Sequence, residues 1–302
     1  LVLPVPYKWF FGKDMDITHF FNYIAPPGVH GKTVITVHDM VYKSIPETVR
    51  ERTKKVLETG LEASMERADM IVTVSEFSKR EIIRYYPQHE HKIRVVLNGV
   101  DLEKFKPCED ENRITQVKEK LNIEGDYFLY LGTIEPRKNL ERLITAYHMF
   151  SKDMENPPKL VLAGGKGWLY DAIFQRVTDL NLSDKVLFTQ YIDSEDINPL
   201  MCGSLAFVFP SVYEGFGMPP LEAMACGVPV LVSGEASLPE VTGDCAVIVD
   251  AYSSENIAEG MNRLYTDSQL RDELSRRGLE RAKGFSWDNS AEILYNVYRE
   301  LF

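Results

Sequence analysis

Glu214-Gly215-Phe216-Gly217-Met218-Pro219-Pro220-Leu221-Glu222 stands between two short apolar runs, Ser204-Leu205-Ala206-Phe207-Val208-Phe209-Pro210 before it and Pro229-Val230-Leu231-Val232 after it. Continuous apolar runs of this length are the pattern of strands buried on both faces of a parallel sheet. The stretch between them therefore reads as a loop leading into a helix. Gly215 and Gly217 let the backbone bend sharply and approach a ligand, and Pro219 and Pro220 favour a helix start. Leu221 and Glu222 are then expected in the first helical turn. Free N–H groups and the positive end of the helix dipole meet there, beside the carboxyl ends of parallel strands, where phosphates bind. Glu214, on the loop, suits the vicinal hydroxyls of a sugar. Glu222, eight residues on, suits a second diol such as a ribose, because an ionised carboxylate is purely an acceptor. Two solvated carboxylates at a helix start are the plain alternative.

Composition sets the frame for this stretch. The 302 residues, 44% of them hydrophobic, suffice for two ordinary domains with real cores. A formal net charge of −11 argues against a nucleic-acid partner, which would need a basic face. The four cysteines, Cys108, Cys202, Cys226 and Cys245, have no CxxC spacing and read as reduced thiols in a cytoplasmic compartment. No apolar run reaches membrane-spanning length and the N-terminus lacks a signal-peptide layout, which leaves peripheral contact at the inner face of a membrane open.

Along the first half, Asp14-Met15-Asp16 matches the DxD metal motif, but it precedes the apolar run Ile17 to Phe21 instead of ending a strand, and so reads as a turn. No metal site is expected. Thr33 to Val37 is a strand ending at His38-Asp39, a carboxyl edge where α/β enzymes keep their chemistry, although a lone histidine there is often structural. Leu57, Leu61, Met65 and Ala68 make one apolar helix face. Met70 to Val74 is a strand followed by Ser75, a helix cap. Arg94 to Leu97 ends this half at the Asn98-Gly99 turn, and the polar residues from Glu103 to Asn112 suit a linker. Four strands are few for a doubly wound domain, and no glycine-rich turn precedes Asp16. The first domain is therefore expected to lack its leading strands, and the edges so exposed invite self-association.

In the second half, Tyr127 to Leu131 is a strand running into Gly132-Thr133-Ile134-Glu135-Pro136-Arg137-Lys138-Asn139. Adjacent cations at a strand end suit a diphosphate, with Arg137 offering two-point contacts and Lys138 a compact charge; a solvated pair is the alternative. Lys159 to Ala163 is a strand ending in Gly164-Gly165-Lys166-Gly167-Trp168, a glycine-rich turn that is neither a P-loop nor a dinucleotide fingerprint. Val186 to Ile192 and Ala246 to Val249 are further strands. The rest is helical, interrupted at Phe285-Ser286-Trp287 before a last helix.

From Asp16 to Phe302 these strings resemble the family-4 (group 1) retaining glycosyltransferases, and the Glu214 to Glu222 stretch resembles their E-x7-E signature. The resemblance implies an α/β fold of the GT-B class, two Rossmann-like doubly wound parallel-sheet domains facing across a cleft, the first incomplete. It implies residues 1–100 as a partial acceptor-side domain, 101–125 as linker and domain entry, 126–284 as the nucleotide-sugar domain and 285–302 as a helix crossing back. His38, Arg137, Lys138 and Glu214 then carry the chemistry. Gly132, Gly164, Tyr191, Gly215, Phe216, Gly217, Leu221 and Glu222 complete the donor site, with the base met mainly by backbone near Tyr191. Thr133 stands where many members have a further arginine. The implied activity moves a hexose, with mannose from a GDP-linked donor the guess and UDP open, to a sugar or lipid-linked saccharide, with retention and without metal or cofactor. A nucleotide-sugar epimerase and a non-catalytic nucleotide-sugar-binding protein are the rival readings.

Overall fold

In a computed structural model that describes residues 15–302, strands and helices alternate and every sheet pairing is parallel. Parallel strands need crossovers that place helices on both faces of the sheet, which is why strands such as Met70–Thr73, Ala206–Phe209 and Val230–Ser233 are buried along their whole length. Asp14, and the stretch before it in which no glycine-rich turn is read, lie outside the described residues. The chain divides into two units, one of residues up to 99 with Trp287–Phe302, the other Val100–Ser286.

Among the described residues the first unit has a four-stranded sheet, β1 (Ile17–Phe20), β2 (Lys32–Thr36), β3 (Met70–Thr73) and β4 (Ile93–Val95), in that order. Its helices are α1 (Val41–Ser44), α2 (Glu51–Arg67), α3 (Glu76–Tyr85) and, from the end of the chain, α12 (Trp287–Arg299). Leu57, Leu61 and Met65 of α2 are buried with Ile35, Ile71 and Ile82, as the helical spacing predicts. Ser75 caps α3 by accepting from the Ser78 N–H at 3.0 Å. A second cluster sets Leu294, Val297 and Tyr298 of α12 against Val34, Met70 and Val72. His19 bridges helix and sheet, its ring nitrogens 2.7 Å from Tyr298 Oη and 2.8 Å from Thr36 Oγ1. Burial lowers its pKa to about 4, so it is a neutral structural group.

The second unit is a six-stranded sheet of β5 (Tyr127–Leu131), β6 (Lys159–Ala163), β7 (Val186–Gln190), β8 (Ala206–Phe209), β9 (Val230–Ser233) and β10 (Ala246–Val249), ordered β10-β9-β8-β5-β6-β7. Its helices are α4 (Glu111–Lys120), α5 (Leu140–Ser151), α6 (Asp171–Asp179), α7 (Ile197–Cys202), α8 (Met218–Ala225), α9 (Leu238–Thr242), α10 (Ser254–Thr266) and α11 (Ser268–Ala282). The stretch read as linker holds α4, capped by Asp110, whose carboxylate accepts from the N–H groups of Asn112 and Arg113. From β5 the chain winds outward through β6 and β7, then returns to lay β8 on the other side of β5. The β5/β8 boundary is thus the topological switch point, where connections leave in opposite directions and open a crevice at the carboxyl edge.

Candidate functional site

Every second-unit residue expected at the donor site falls at or just beyond the carboxyl ends of β5, β6, β7 and β8, or in α8. Gly132 follows β5 and Gly164 follows β6. Gly164 has φ +138°, and a Cβ there would lie 2.0 Å from the Gly132 carbonyl oxygen, so the two turns approach as closely as they do only because no side chain intervenes. Tyr191 lies beyond β7. The strand ends two residues earlier than the apolar pattern suggests, because Gln190 takes φ +59° and the β6/β7 register shifts there. The Tyr191 ring is exposed.

Residues Pro136–Lys138 form a 3-10 turn between β5 and α5. Sheet order places it against the loop after β8, and four ionisable groups meet. Lys138 Nζ donates to Glu214 Oε1 at 2.6 Å, Arg137 Nη1 donates to Glu214 Oε2 at 2.9 Å, and Arg137 Nε pairs with Glu135 Oε1 at 2.5 Å. Ser211 Oγ donates to Glu214 Oε1 at 2.6 Å. Burial pushes the Glu214 carboxyl up, but Lys138, Arg137 and the hydrogen bonds outweigh it and hold its pKa near 2. Burial works against the Lys138 ammonium, and Glu214 opposes that. The cations expected to lie open for a diphosphate are thus paired within the protein. Arg137, its side chain 22% exposed against 8% for Lys138, is the more accessible.

Buried serines and one asparagine hold these loops, and the sequence reading missed them. Asn139, with φ +62°, donates from Nδ2 to the carbonyls of Pro210 (3.0 Å) and Ala251 (2.7 Å), fastening the cationic turn to the end of β8. Ser233 Oγ reaches the Ser211 carbonyl at 2.5 Å. Ser237 Oγ lies 2.8 Å from the Glu214 carbonyl and 2.7 Å from that of Phe216. The Gly164-to-Trp168 and Arg137–Lys138 strings were visible as glycine and charge patterns; a buried serine has no such signature.

Helix α8 begins earlier than expected. Gly217 is its cap, with φ +109°, and a Cβ there would lie 2.7 Å from Leu238 Cδ2. Leu221 is the fourth residue and Glu222 the fifth, so Leu221 belongs to the core and its N–H already bonds the Gly217 carbonyl at 3.4 Å. Pro219 and Pro220 have no N–H, which leaves Gly217 and Met218 as the donors of this helix start. Glu222 lies one turn further on. Its carboxylate makes no hydrogen bond or ion pair with any described residue, and burial raises its pKa to about 7, with Lys104 working in the opposite direction.

His38, in the first unit, follows β2; its Nε2 is 2.8 Å from the Phe21 carbonyl, and its own carbonyl accepts from Ser78 Oγ at 2.9 Å. Asp16 is exposed and its carbonyl accepts from the Lys32 N–H. Among the described residues no group of three or more His, Cys, Asp or Glu side chains is placed to hold a metal ion, and no helix is long and apolar enough to cross a membrane. All four cysteines are free.

With this geometry in hand, comparison with known proteins is direct. Residues 112–281 match the profile of the glycosyl transferases group 1 and residues 4–104 that of glycosyltransferase family 4. The O-antigen chain mannosyltransferase B of Escherichia coli is 34% identical over 285 residues, 94% of this chain and 74% of that protein. The serotype-specific mannosyltransferase WbdA of Escherichia coli is 31% identical over 285 residues, 92% of this chain but 34% of that much longer protein. Among solved structures, the sucrose-phosphate synthase of Thermosynechococcus elongatus superposes with a TM-score of 0.74 at 25% identity, over 91% of this chain and 69% of that one. Two Rossmann-like units, each with a parallel sheet, are the GT-B class of fold, and the chain belongs to the group 1 glycosyltransferases as a hexosyltransferase.

Proposed function

We propose that the chain transfers mannose from a nucleoside diphosphate sugar, GDP-mannose, to a sugar or lipid-linked saccharide acceptor, with retention of configuration and without a metal or other cofactor. The observation that carries this is Glu222, a largely buried carboxylate without a partner among the described residues, in the helix that follows the Glu214 loop at the sheet's switch point. A buried carboxylate is costly unless something pairs with it, and a ribose diol supplies two donors. Arg137, in the turn after β5 that meets the Glu214 loop, binds the diphosphate, exchanging part of its pairing with Glu214 and Glu135 for phosphate oxygens. As the glycosidic bond breaks, negative charge grows on the diphosphate. Arg137, Lys138 and the N–H groups of Gly217 and Met218 stabilise it there, the electrostatic contribution that usually dominates catalysis. Glu214, its remaining lone pairs turned to the sugar, orients the hexose. We assign His38, in the first unit, a part in the transfer step. Mannose is favoured by the names of the Escherichia coli relatives, and a saccharide acceptor by the O-antigen chain that one of them names.

The test is turnover by the purified chain with a panel of nucleotide sugars and a mannose-terminated acceptor, with and without EDTA, the product's anomeric configuration being read by NMR. GDP-mannose is expected to be consumed fastest, unaffected by chelation, giving an α-linked product. Preference for a UDP sugar, dependence on added magnesium, or an inverted product would each remove the corresponding part of the proposal.

A further inference from the structure

A cavity of about 360 Å³ opens among the starts of α5 and α10 and one side of α6, lined by Pro136, Asn139, Arg142, Thr145, Arg176 and Ser254. None of Arg137, Lys138, Glu214 and Glu222 lines it. Arg176 is half-buried, yet its guanidinium makes no hydrogen bond or ion pair with any described residue. A partly desolvated guanidinium with five donors is normally paired. Arg142 is held in place, donating from Nη1 to Asn139 Oδ1 at 2.6 Å with its guanidinium 5.5 Å from the Tyr252 ring centroid. One acidic side chain, that of the exposed Glu141, lines the cavity, and it forms no ion pair with either arginine. The walls thus present two cations against one carboxylate, with the hydroxyls of Thr145 and Ser254 beside them. The volume lies at the small end of ligand pockets and has room for a phosphate bearing a hexose.

We propose that this cavity is a second anion site, separate from the donor site, that takes inorganic phosphate or a phosphate monoester through Arg176 and Arg142. Planar two-point recognition by arginine suits phosphate oxygens. The site also has a route to the donor loops. An anion drawing on Arg142 acts on Asn139, which follows Lys138 in the chain and fastens that turn to the Pro210 and Ala251 carbonyls. This coupling rests on the donor-binding role proposed for Arg137 and Lys138; the binding of the anion does not.

The experiment is calorimetric titration of the full 302-residue chain, its donor site saturated with GDP, with inorganic phosphate and separately with glucose 6-phosphate. Saturable binding of at least one probe is expected. Arg176→Gln should weaken it about tenfold or more, as loss of a charge-assisted hydrogen bond does, and Arg176→Lys should recover part of the affinity. GDP affinity should shift with phosphate in the wild type and not in Arg176→Gln, a variant that by itself leaves GDP affinity unchanged. Tighter binding of the ester than of phosphate would assign the sugar to the same cavity. Absence of saturable binding of both probes, or binding of equal strength in wild type and Arg176→Gln, would overturn the site. Failure of GDP to bind would count against the donor-site reading alone, since the Arg176 dependence is measurable without it.

Discussion

Glu214 and Glu222 are the same amino acid eight residues apart, and their surroundings drive them in opposite directions. Glu214 has Lys138, Arg137 and Ser211 around it and stays ionised, near pKa 2. Glu222 has burial without a partner and rises to about 7. For Glu222 the consequence has a definite sign. Below the ordinary carboxyl pKa both folded and unfolded chains hold the proton. As pH rises, the unfolded chain releases it first, so stability is lost through the window from about 4.5 to about 7 and the loss is complete above it, amounting to on the order of 3 kcal/mol. Glu222→Gln should therefore unfold at higher denaturant than wild type at pH 8 and at the same denaturant at pH 4. The same variant should bind GDP more weakly by about 1–3 kcal/mol, and a 2′,3′-dideoxyribose analogue equally to wild type. A stabilised variant with unimpaired GDP binding would show that Glu222 does not meet the ribose. The sequence displayed both glutamates and both cations but not their pairing, because Arg137 and Glu214 are 77 residues apart and become neighbours only through the order in which β5 and β8 lie.

At the scale of elements, the loop between β8 and α8 is fixed by side chains that offer no pattern to read. The strands on either side were legible as apolar runs, and the helix after it from its prolines. The start of α8 falls one or two residues before the prolines, because Gly217 caps it at φ +109°, where a Cβ would meet Leu238 at 2.7 Å. Ser237, fully buried at the cap of α9, holds the Glu214 and Phe216 carbonyls together. Ser237→Ala removes that donor and leaves at least one buried carbonyl unsatisfied, a cost of about 1–3 kcal/mol. The loop carrying Glu214 should loosen with it. Denaturant unfolding should report that loss, and hydrogen exchange should report faster opening at residues 214–218 than elsewhere in the unit. Uniform loss of protection across the sheet would mean that Ser237 supports the core and not the loop.

For the whole molecule, the division of labour is written into where the chain crosses between units. The second unit is one continuous segment, Val100–Ser286, whereas the first is closed by its own residues together with the last helix. Leu294 and Val297 of that helix fill the first unit's core, and Ser290 Oγ bonds the Leu97 carbonyl at 2.6 Å. The aromatic-Ser-Trp string signalled where the last helix begins; that it completes the earlier core depends on contacts some 200 residues away in sequence, such as Arg94 with Glu300 at 2.7 Å. All proposed donor contacts except His38 lie in the continuous segment, which has its own six-stranded sheet covered by helices. Residues 100–286 should therefore fold alone and bind GDP within about threefold of the full chain, a difference below about 0.7 kcal/mol. They should transfer no sugar, since they lack His38, to which a part in the transfer is proposed. The complementary fragment, residues 1–99 without the last helix, should be unfolded or associated, because removing α12 uncovers Val34, Met70 and Val72. Supplying residues 287–302 as a peptide should restore its helical circular dichroism. A second-unit fragment that folds but loses GDP affinity by a hundredfold would place part of the donor site in the first unit, and the assignment of nucleotide binding to the β5/β8 crevice alone would fall.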